Sequence, residues 1–373
     1  MPNSKSSNVS AKRVDIVDPT LRDKAGHCYS FIRSFIEGRD AVAPATQIVV
    51  YADRRAHGLF DNSGNVTLHR HFSRRLRKLQ TPLLYRRLLR AGGNVFIPTA
   101  TRVDLTSLAA MAYKHIADGN VTAYVHWFRD TEARRKQLRW IARKAPGIKI
   151  LTPCSSVLDL FGECGFASCE LVPYPVSMAE PLQPQKNAEF EKVIYAGAAR
   201  RDKGFHSIVS WITSHRDELV DTPITIQASP PHSGKRSREI EADLQKLRQA
   251  RCANLTLLDE TLSEDEYARL FQGAICLQLY APDKFSDRVS GVTLDALTRG
   301  APVIAIEGTW TARIIADRGA GIVIDSPVSE AITEAVKNIQ SDYRAFAARA
   351  VATGSEIRRT HDPRKLFEAV VTR

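Results

Sequence analysis

Residues 285–306 read FSDRVSGVTLDALTRGAPVIAI, and this stretch decides the fold class. It follows an apolar run at 274–279 and ends in another at 302–306, with a short helix predicted over 292–299 that stops at Gly300. Two apolar strands joined through a helix are typical of a parallel sheet, because parallel neighbours need a crossover connection. The stretch therefore predicts an α/β fold.

The same alternation of apolar runs and helical stretches covers the rest of the chain, and it predicts two domains. The predicted strands are 13–17, 47–51, 94–97, 122–126 and 148–152 in a first series, then 192–195, 224–228, 255–258, 274–279, 302–306 and 321–324 in a second. Between the series, 174–187 contains three prolines and no apolar periodicity, as a linker does. We expect two doubly wound, Rossmann-like domains with a cleft between them. The predicted bounds are 1–178 for the first domain, 179–191 for the linker, 192–354 for the second domain and 355–373 for a C-terminal helix.

The composition predicts a folded protein that stays in the cytoplasm. Of the 373 residues, 43% are hydrophobic and 25% are charged, which is ordinary for globular proteins. No apolar run approaches the roughly 18 residues that span a membrane, and the polar opening lacks the apolar core of a secretory signal. The six cysteines form no Cys-x-x-Cys pair, so neither a disulfide framework nor a bound metal is predicted.

Positive charge is concentrated in the first half of the chain. Residues 1–180 hold 27 basic and 15 acidic residues, whereas the remainder holds 26 of each. The densest part, RRLRKLQTPLLYRRLLR at 74–90, interleaves leucines with Arg74, Arg75, Arg77, Lys78, Arg86, Arg87 and Arg90. One or two amphipathic helices of this composition fit an anionic membrane surface or a solvated face whose leucines enter the core. A nucleic-acid surface is disfavoured, since only Phe72 and Tyr85 are available for stacking.

The helix predicted after Asp287 is a candidate anion site. Its amino end carries Ser290-Gly291, a small pair that leaves backbone N–H groups facing a ligand. A diphosphate is the natural occupant of such a helix start. Asp287 precedes the helix and Asp295 lies within it, so that the two carboxylates reach opposite sides of the bound anion.

These residues resemble a motif of the GT-B glycosyltransferases, specifically the retaining family 4 type that uses nucleotide-sugar donors. The family's Glu-x7-Glu pair would read Asp287-x7-Asp295 here, followed by the family's Gly-x-Pro-Val-Ile as GAPVI at 300–304. Both glutamates are aspartates in this chain. The resemblance implies that Asp287 contacts donor-sugar hydroxyls, Asp295 contacts the ribose, and the backbone of Ser290, Gly291 and Val292 contacts the phosphates.

A second match lies at YAGAARRDKGF, residues 195–205. The family has a glycine, an arginine and then Lys-Gly at this place, which implies that Gly197 and Lys203 contact the donor diphosphate. Ala198 occupies the expected arginine position, so either Arg200 or Arg201 would supply the second cation. Fixed cations of this kind stabilise the charge that gathers on a departing nucleoside diphosphate.

In the first half, two further residues match the family by position. Gly26 lies in the loop after the first predicted strand, which in the family approaches donor or acceptor. His126 ends the strand predicted at 122–126 and resembles the family's active-site histidine, while a histidine held by nearby backbone is the alternative. The final helix, around 363–371, would cross back to the first domain.

The function expected from these residues is transfer of a sugar from a UDP- or GDP-linked donor to a hydroxyl of a glycan or lipid-linked acceptor. The resemblance implies retention of configuration, no metal and no cofactor. We expect a role in cell-surface polysaccharide or glycolipid synthesis, at the inner face of the membrane. Two alternatives are open: the same fold acting on a soluble acceptor, and a catalytically lapsed module that binds a nucleotide or glycan without turnover.

Overall fold

The computed structural model describes residues 13–24, 26–61, 63–178, 189–229, 236–250 and 252–372. They fall into two compact units, the first within 1–178 and 360–373 and the second within 179–359. The segment predicted as a linker lies mostly outside the described residues, which resume at Glu189.

The first unit is built on a seven-stranded sheet in which all paired strands are parallel. Its strands are β1 (Arg13–Val17), β2 (Gln47–Asp53), β3 (Val66–Phe72), β4 (Val95–Ile97), β5 (Val121–Tyr124), β6 (Ile148–Thr152) and β7 (Ser168–Leu171). Its first five helices are α1 (His27–Val42), α2 (Arg77–Arg90), α3 (Arg102–Ser107), α4 (Glu132–Lys144) and α5 (Ser155–Glu163), with short turns of π-helix at Leu108–Ala112 and 3-10 helix at Tyr113–His115. The strand order is β3-β2-β1-β4-β5-β6-β7.

Both faces of this sheet are buried, as crossover helices require. Along β2, Val49 and Tyr51 enter one hydrophobic core while Ile48 and Val50 enter the core on the opposite face. This alternation follows from the two-residue period of a strand.

The second unit is built on a six-stranded parallel sheet in the order β10-β9-β8-β11-β12-β13. Its strands are β8 (Lys192–Tyr195), β9 (Ile224–Gln227), β10 (Leu255–Leu258), β11 (Ala274–Gln278), β12 (Val303–Ile306) and β13 (Gly321–Ile324). Its helices are α6 (Phe205–Ser214), α7 (Arg238–Gln249), α8 (Glu264–Leu270), α9 (Pro282–Phe285), α10 (Gly291–Thr298), α11 (Trp310–Ala316), α12 (Ser329–Ser341) and α13 (Tyr343–Thr360), with a 3-10 turn at Arg201–Lys203.

The last helix, α14 (Pro363–Val371), packs against α1 in the first unit. Gly38 allows this approach, because a Cβ atom there would lie 2.7 Å from the carbonyl carbon of Pro363. Lys149 donates a hydrogen bond of 2.8 Å to the carbonyl of Ala369. The preceding helix, α13, continues through position 354, where the sequence analysis places a boundary, and ends at Thr360.

The predicted α/β fold class is confirmed, and each of the eleven predicted strands corresponds to a strand of the structure. The strands β3 and β7 were not predicted. Both are edge strands with largely exposed side chains, so neither carries the apolar run that identifies a buried strand.

Candidate functional site

The strand order of the second unit reverses between the neighbours β8 and β11. From β8 the chain continues to β9 and β10 on one side, and from β11 to β12 and β13 on the other. Ligands of open parallel sheets bind beyond the carboxyl ends of the strands at such a reversal. The loops that leave these two strands, 196–204 and 279–290, therefore form the candidate site together with the start of α10.

Gly197 is the point at which the first of these loops meets the start of α10. A Cβ atom at this glycine would lie 3.6 Å from Cγ2 of Val292 and 3.8 Å from Nζ of Lys203. Its φ of +104° lies in the region that favours glycine, and its amide donates a hydrogen bond to Oε1 of Gln227. The fold thus brings together three predicted site residues that are up to 95 positions apart in sequence.

Lys203 lies within a cluster of positive charge. Burial, and after it repulsion from Arg200 and Arg288, lowers the pKa of Lys203 from 10.5 to about 8. Its ammonium lies 5.4 Å from the ring centre of Tyr280. Because each cation raises the energy of the others, a bound anion would relieve the repulsion.

The start of α10 presents a second group of donors. Ser290 caps the helix, since its Oγ accepts a hydrogen bond of 3.3 Å from the amide of Thr293. Gln278 fixes this cap, because its Oε1 accepts hydrogen bonds from Ser290 at 3.2 Å and from Thr293 at 2.6 Å. The amides of Gly291 and Val292 precede the capped amide, at the positive end of the helix dipole.

Gly291 faces open space. A Cβ atom built on it would meet no atom of the described chain within 4 Å. Its backbone lies outside the positive-φ region, so neither packing nor conformation requires a glycine at this position. The missing side chain leaves room for a ligand to approach the backbone.

Asp287 lies in the loop before α10 and faces a cation of the next helix. Nη2 of Arg313, on α11, is 3.5 Å from Oδ1 of Asp287, whose side chain is 25% exposed. A partly exposed carboxylate at this place is able to accept hydrogen bonds from a hydroxylated ligand.

Asp295 projects from the middle of α10 and is held at both oxygens. Arg299 donates to Oδ1 at 2.9 Å, and the hydroxyl of Tyr267 donates to Oδ2 at 3.2 Å. Burial raises the pKa of Tyr267, so the phenol stays protonated and remains a donor. Nowhere in the part of the chain that the structure describes do three His, Cys, Asp or Glu side chains converge as metal ligands.

The first unit has its own reversal of strand order, between β1 and β4. The buried Asp18, directly after β1, accepts hydrogen bonds from the hydroxyl of Thr20 at 2.7 Å and from that of Thr99, beyond β4, at 3.2 Å. Gly26 lies in the same loop, immediately before α1, with a φ of +83°. These contacts tie the two loops together beyond the strand ends.

His126 lies at this edge of the first sheet, two residues beyond the end of β5. The strand predicted to end at His126 in fact ends at Tyr124, which pairs with Leu151 of β6 and is the last paired residue of β5. Nε2 of His126 donates to the carbonyl of Pro98 at 2.8 Å. The imidazole packs edge-on against Phe31 and lies 5.9 Å, between ring centres, from His27.

Comparison with solved structures extends over nearly the whole chain. HepE from Anabaena, solved with UDP and glucose, aligns with a TM-score of 0.69 at 11% identity, over 95% of this chain and 97% of its own. WaaG, a glycosyltransferase involved in lipopolysaccharide biosynthesis, aligns with a TM-score of 0.69 at 13% identity, over 96% and 99%. Sucrose-phosphate synthase from Thermosynechococcus elongatus aligns with a TM-score of 0.67 at 14% identity, over 96% of both chains. The fold is GT-B.

At these identities the likeness to the solved GT-B structures is one of fold alone. No family model matches the sequence, and no curated protein matches it. The chemistry of this GT-B chain must therefore be argued from its own residues.

Within the GT-B framework, the structure separates the two arginines that the sequence left as alternatives. Arg200 is the one whose charge acts on Lys203, and it also pairs with Asp202. Arg201 is exposed and lies 3.4 Å from Glu239 of α7. Arg200 is therefore the better candidate for the second cation.

Two residues of the candidate site, Arg288 and Gln278, were not predicted from the sequence. Arg288 adds a third cation beside Lys203, and its position directly after Asp287 was the signal available for it. Gln278 orients the cap of α10, and its signal was a polar residue within an apolar strand.

Proposed function

We propose that this chain is a glycosyltransferase that moves a sugar from a nucleotide diphosphate sugar to an acceptor hydroxyl. The observation that carries the proposal is the meeting of Gly197, Lys203 and the start of α10 at the strand-order reversal. Backbone amides and three clustered cations at one point are a donor set for a diphosphate.

The two aspartates complete the proposed donor site. Asp295, held by Arg299 and Tyr267, would accept hydrogen bonds from the ribose hydroxyls. Asp287, on the loop before α10, would accept them from the transferred sugar. The structure of HepE with UDP and glucose supports a UDP-linked donor, and a GDP-linked donor is the other choice.

The charge at the site suits the reaction. As the bond to the sugar breaks, the leaving nucleoside diphosphate gains negative charge, and donors already in place stabilise it without rearranging. Lys203, Arg288 and Arg200, the last of them paired with Asp202, are the cations there, which supports transfer without a metal ion or cofactor.

For the acceptor side we propose the strand-order reversal of the first unit, with Gly26 and His126. His126 is oriented by the carbonyl of Pro98 and would be the active-site histidine of this unit. We propose retention of configuration, with the departing phosphate taking the acceptor proton. The involvement of WaaG in lipopolysaccharide biosynthesis supports a glycan or lipid-linked acceptor in cell-surface polysaccharide or glycolipid synthesis.

The first experiment is a thermal-shift screen with UDP, GDP and ADP and with the corresponding nucleotide sugars. A ligand that binds the folded state raises the apparent melting temperature, so one nucleotide series should stand out. NMR of the products would then give the anomeric configuration. Stabilisation by no nucleotide would refute the donor site.

A second candidate function is nucleotide binding without turnover. It is favoured by the short carboxylate of Asp295, both of whose oxygens already accept hydrogen bonds from the protein. The Asp287→Ala variant separates the two. The transferase is supported if the purified wild type slowly hydrolyses the donor and Asp287→Ala abolishes this hydrolysis. The binding module is supported if both proteins bind the nucleotide and neither hydrolyses the donor.

A further inference from the structure

Helix α2 buries one leucine-bearing face and exposes another. Leu84, Leu88 and Leu89 enter the core of the first unit. Leu76, at the start of the helix, is 52% exposed, Leu79 67% and Leu83 58%. Residues three and four apart share one side of a helix, so these three leucines form one apolar stripe on the surface, here called the leucine stripe.

Basic side chains border this stripe. They are exposed, and they comprise Arg74, Arg75, Arg77, Lys78, Arg86, Arg87 and Arg90. Within the described ranges, none of them lies in an ion pair with an acidic residue. On α4, by contrast, Arg135 pairs with Asp130 and Glu163. The cations around the leucine stripe are thus not neutralised by the protein itself.

We propose that α2 is a docking surface for an anionic lipid bilayer. A helix with leucines on one side and arginines beside them lies in the interface plane, where the leucines enter the boundary between headgroups and acyl chains and the cations meet lipid phosphates. No helix of the described residues is long and apolar enough to cross a membrane. A membrane contact through α2 is therefore peripheral.

The burial of the aromatic residues argues against a nucleic-acid partner on the same surface. Phe72 and Tyr85 are the two aromatic residues within or beside the basic segment, and both are fully buried. Single-stranded nucleic acids are held by exposed aromatic rings as well as by cations. This surface offers exposed leucines instead, which fit acyl chains.

The test is co-sedimentation of the full chain with vesicles of phosphatidylcholine, alone or mixed with phosphatidylglycerol. The charge variant replaces Arg74, Arg75, Arg77 and Lys78 with Glu, and the stripe variant replaces Leu76, Leu79 and Leu83 with Gln. A control variant replaces Arg216, Lys246, Lys337 and Arg344 with Glu. These four exposed cations lie in the second unit, and their reversal changes the net charge by the same amount.

We expect binding to the mixed vesicles only. A cation near an anionic bilayer contributes about fivefold to the partition constant, so the charge variant should lose at least about a hundredfold. The stripe variant should lose at least about tenfold. The control variant should bind as the wild type does.

Three outcomes would overturn the proposal. They are no binding by the wild type, equal loss in the control variant, and full binding by the stripe variant when the charge variant has lost it. The last would indicate a purely electrostatic surface for a soluble polyanion. Far-UV circular dichroism of each variant shows whether the fold is intact, and the rise in melting temperature with UDP shows whether the donor site is intact. Failure of the membrane-docking proposal is therefore distinguishable from failure of the proposed function.

Discussion

Replacing Lys203 with Met should stabilise the protein while weakening donor binding. The lowering of its pKa from 10.5 to about 8 means that folding disfavours the ammonium by about 3 kcal/mol. Because the Lys203 side chain keeps partial exposure to solvent, which screens its charge, we expect about 1–2 kcal/mol of this in the free energy of unfolding. Methionine keeps an apolar stem of similar length and carries no charge, so the variant should gain that amount at pH 7.

The pH dependence of stability should differ between the two proteins. Below about pH 8 the lysine is charged in both the folded and the unfolded states, so the folded wild type bears the full penalty. Between about pH 8 and 10.5 the unfolded chain binds more protons than the folded protein, so the free energy of unfolding of the wild type rises with pH. The difference between wild type and Lys203→Met should therefore shrink to nothing near pH 10.5.

Donor binding should change in the opposite direction. A hydrogen bond from a charged group contributes about 1.5–3 kcal/mol, so the loss of the ammonium should weaken UDP binding by about 10- to 150-fold. Wild-type affinity should also fall as the pH rises through about 8, because the phosphate binds the charged lysine. Urea unfolding at pH 7, 9 and 10.5 and titration calorimetry with UDP measure both effects.

Lys337→Met is the matched control, since Lys337 is exposed in the same unit, lies outside the candidate site and pairs with Glu218 at 3.4 Å. It should leave UDP affinity unchanged and should not stabilise the protein. A Lys203→Met variant that is less stable than the wild type and binds UDP equally well would show a structural role for Lys203 and would refute the reasoning.

Two substitutions at glycines test the site and the last helix. Gly291→Ala should leave the free energy of unfolding unchanged or raise it by about 0.5–1 kcal/mol, because the new methyl group meets no described atom within 4 Å. The same methyl group should weaken UDP binding at least about tenfold, because it fills the approach to the start of α10. Unchanged UDP affinity in calorimetry would show that no ligand approaches there. Gly38→Ala should destabilise the protein by about 1–3 kcal/mol in urea unfolding, because its Cβ would lie 2.7 Å from the carbonyl carbon of Pro363. Gly162→Ala on α5, whose Cβ meets nothing within 4 Å, is the control, and equal effects of the two would contradict close packing of α1 on α14.

Local pattern was enough to predict most of the strands and the fold class. A buried parallel strand is a short apolar run, and turn-forming residues such as Gly300 end the helix that joins two such runs. The edge strands β3 and β7 were not predicted, because a strand with exposed side chains lacks the apolar run by which a buried strand is identified. The amino-acid sequence also marked the two loops of the candidate site, since both follow predicted strands.

The tertiary structure alone decided how these parts meet. The strand order places Gly197 beside Val292, and it gives Arg200 rather than Arg201 the position near Lys203. The packing of α2 on the first sheet leaves Leu79 and Leu83 exposed and buries Leu84, although all three belong to one leucine-rich run. The physical reason is that periodicity reports which residues share a face of one element, whereas the pairing of distant strands decides what that face meets.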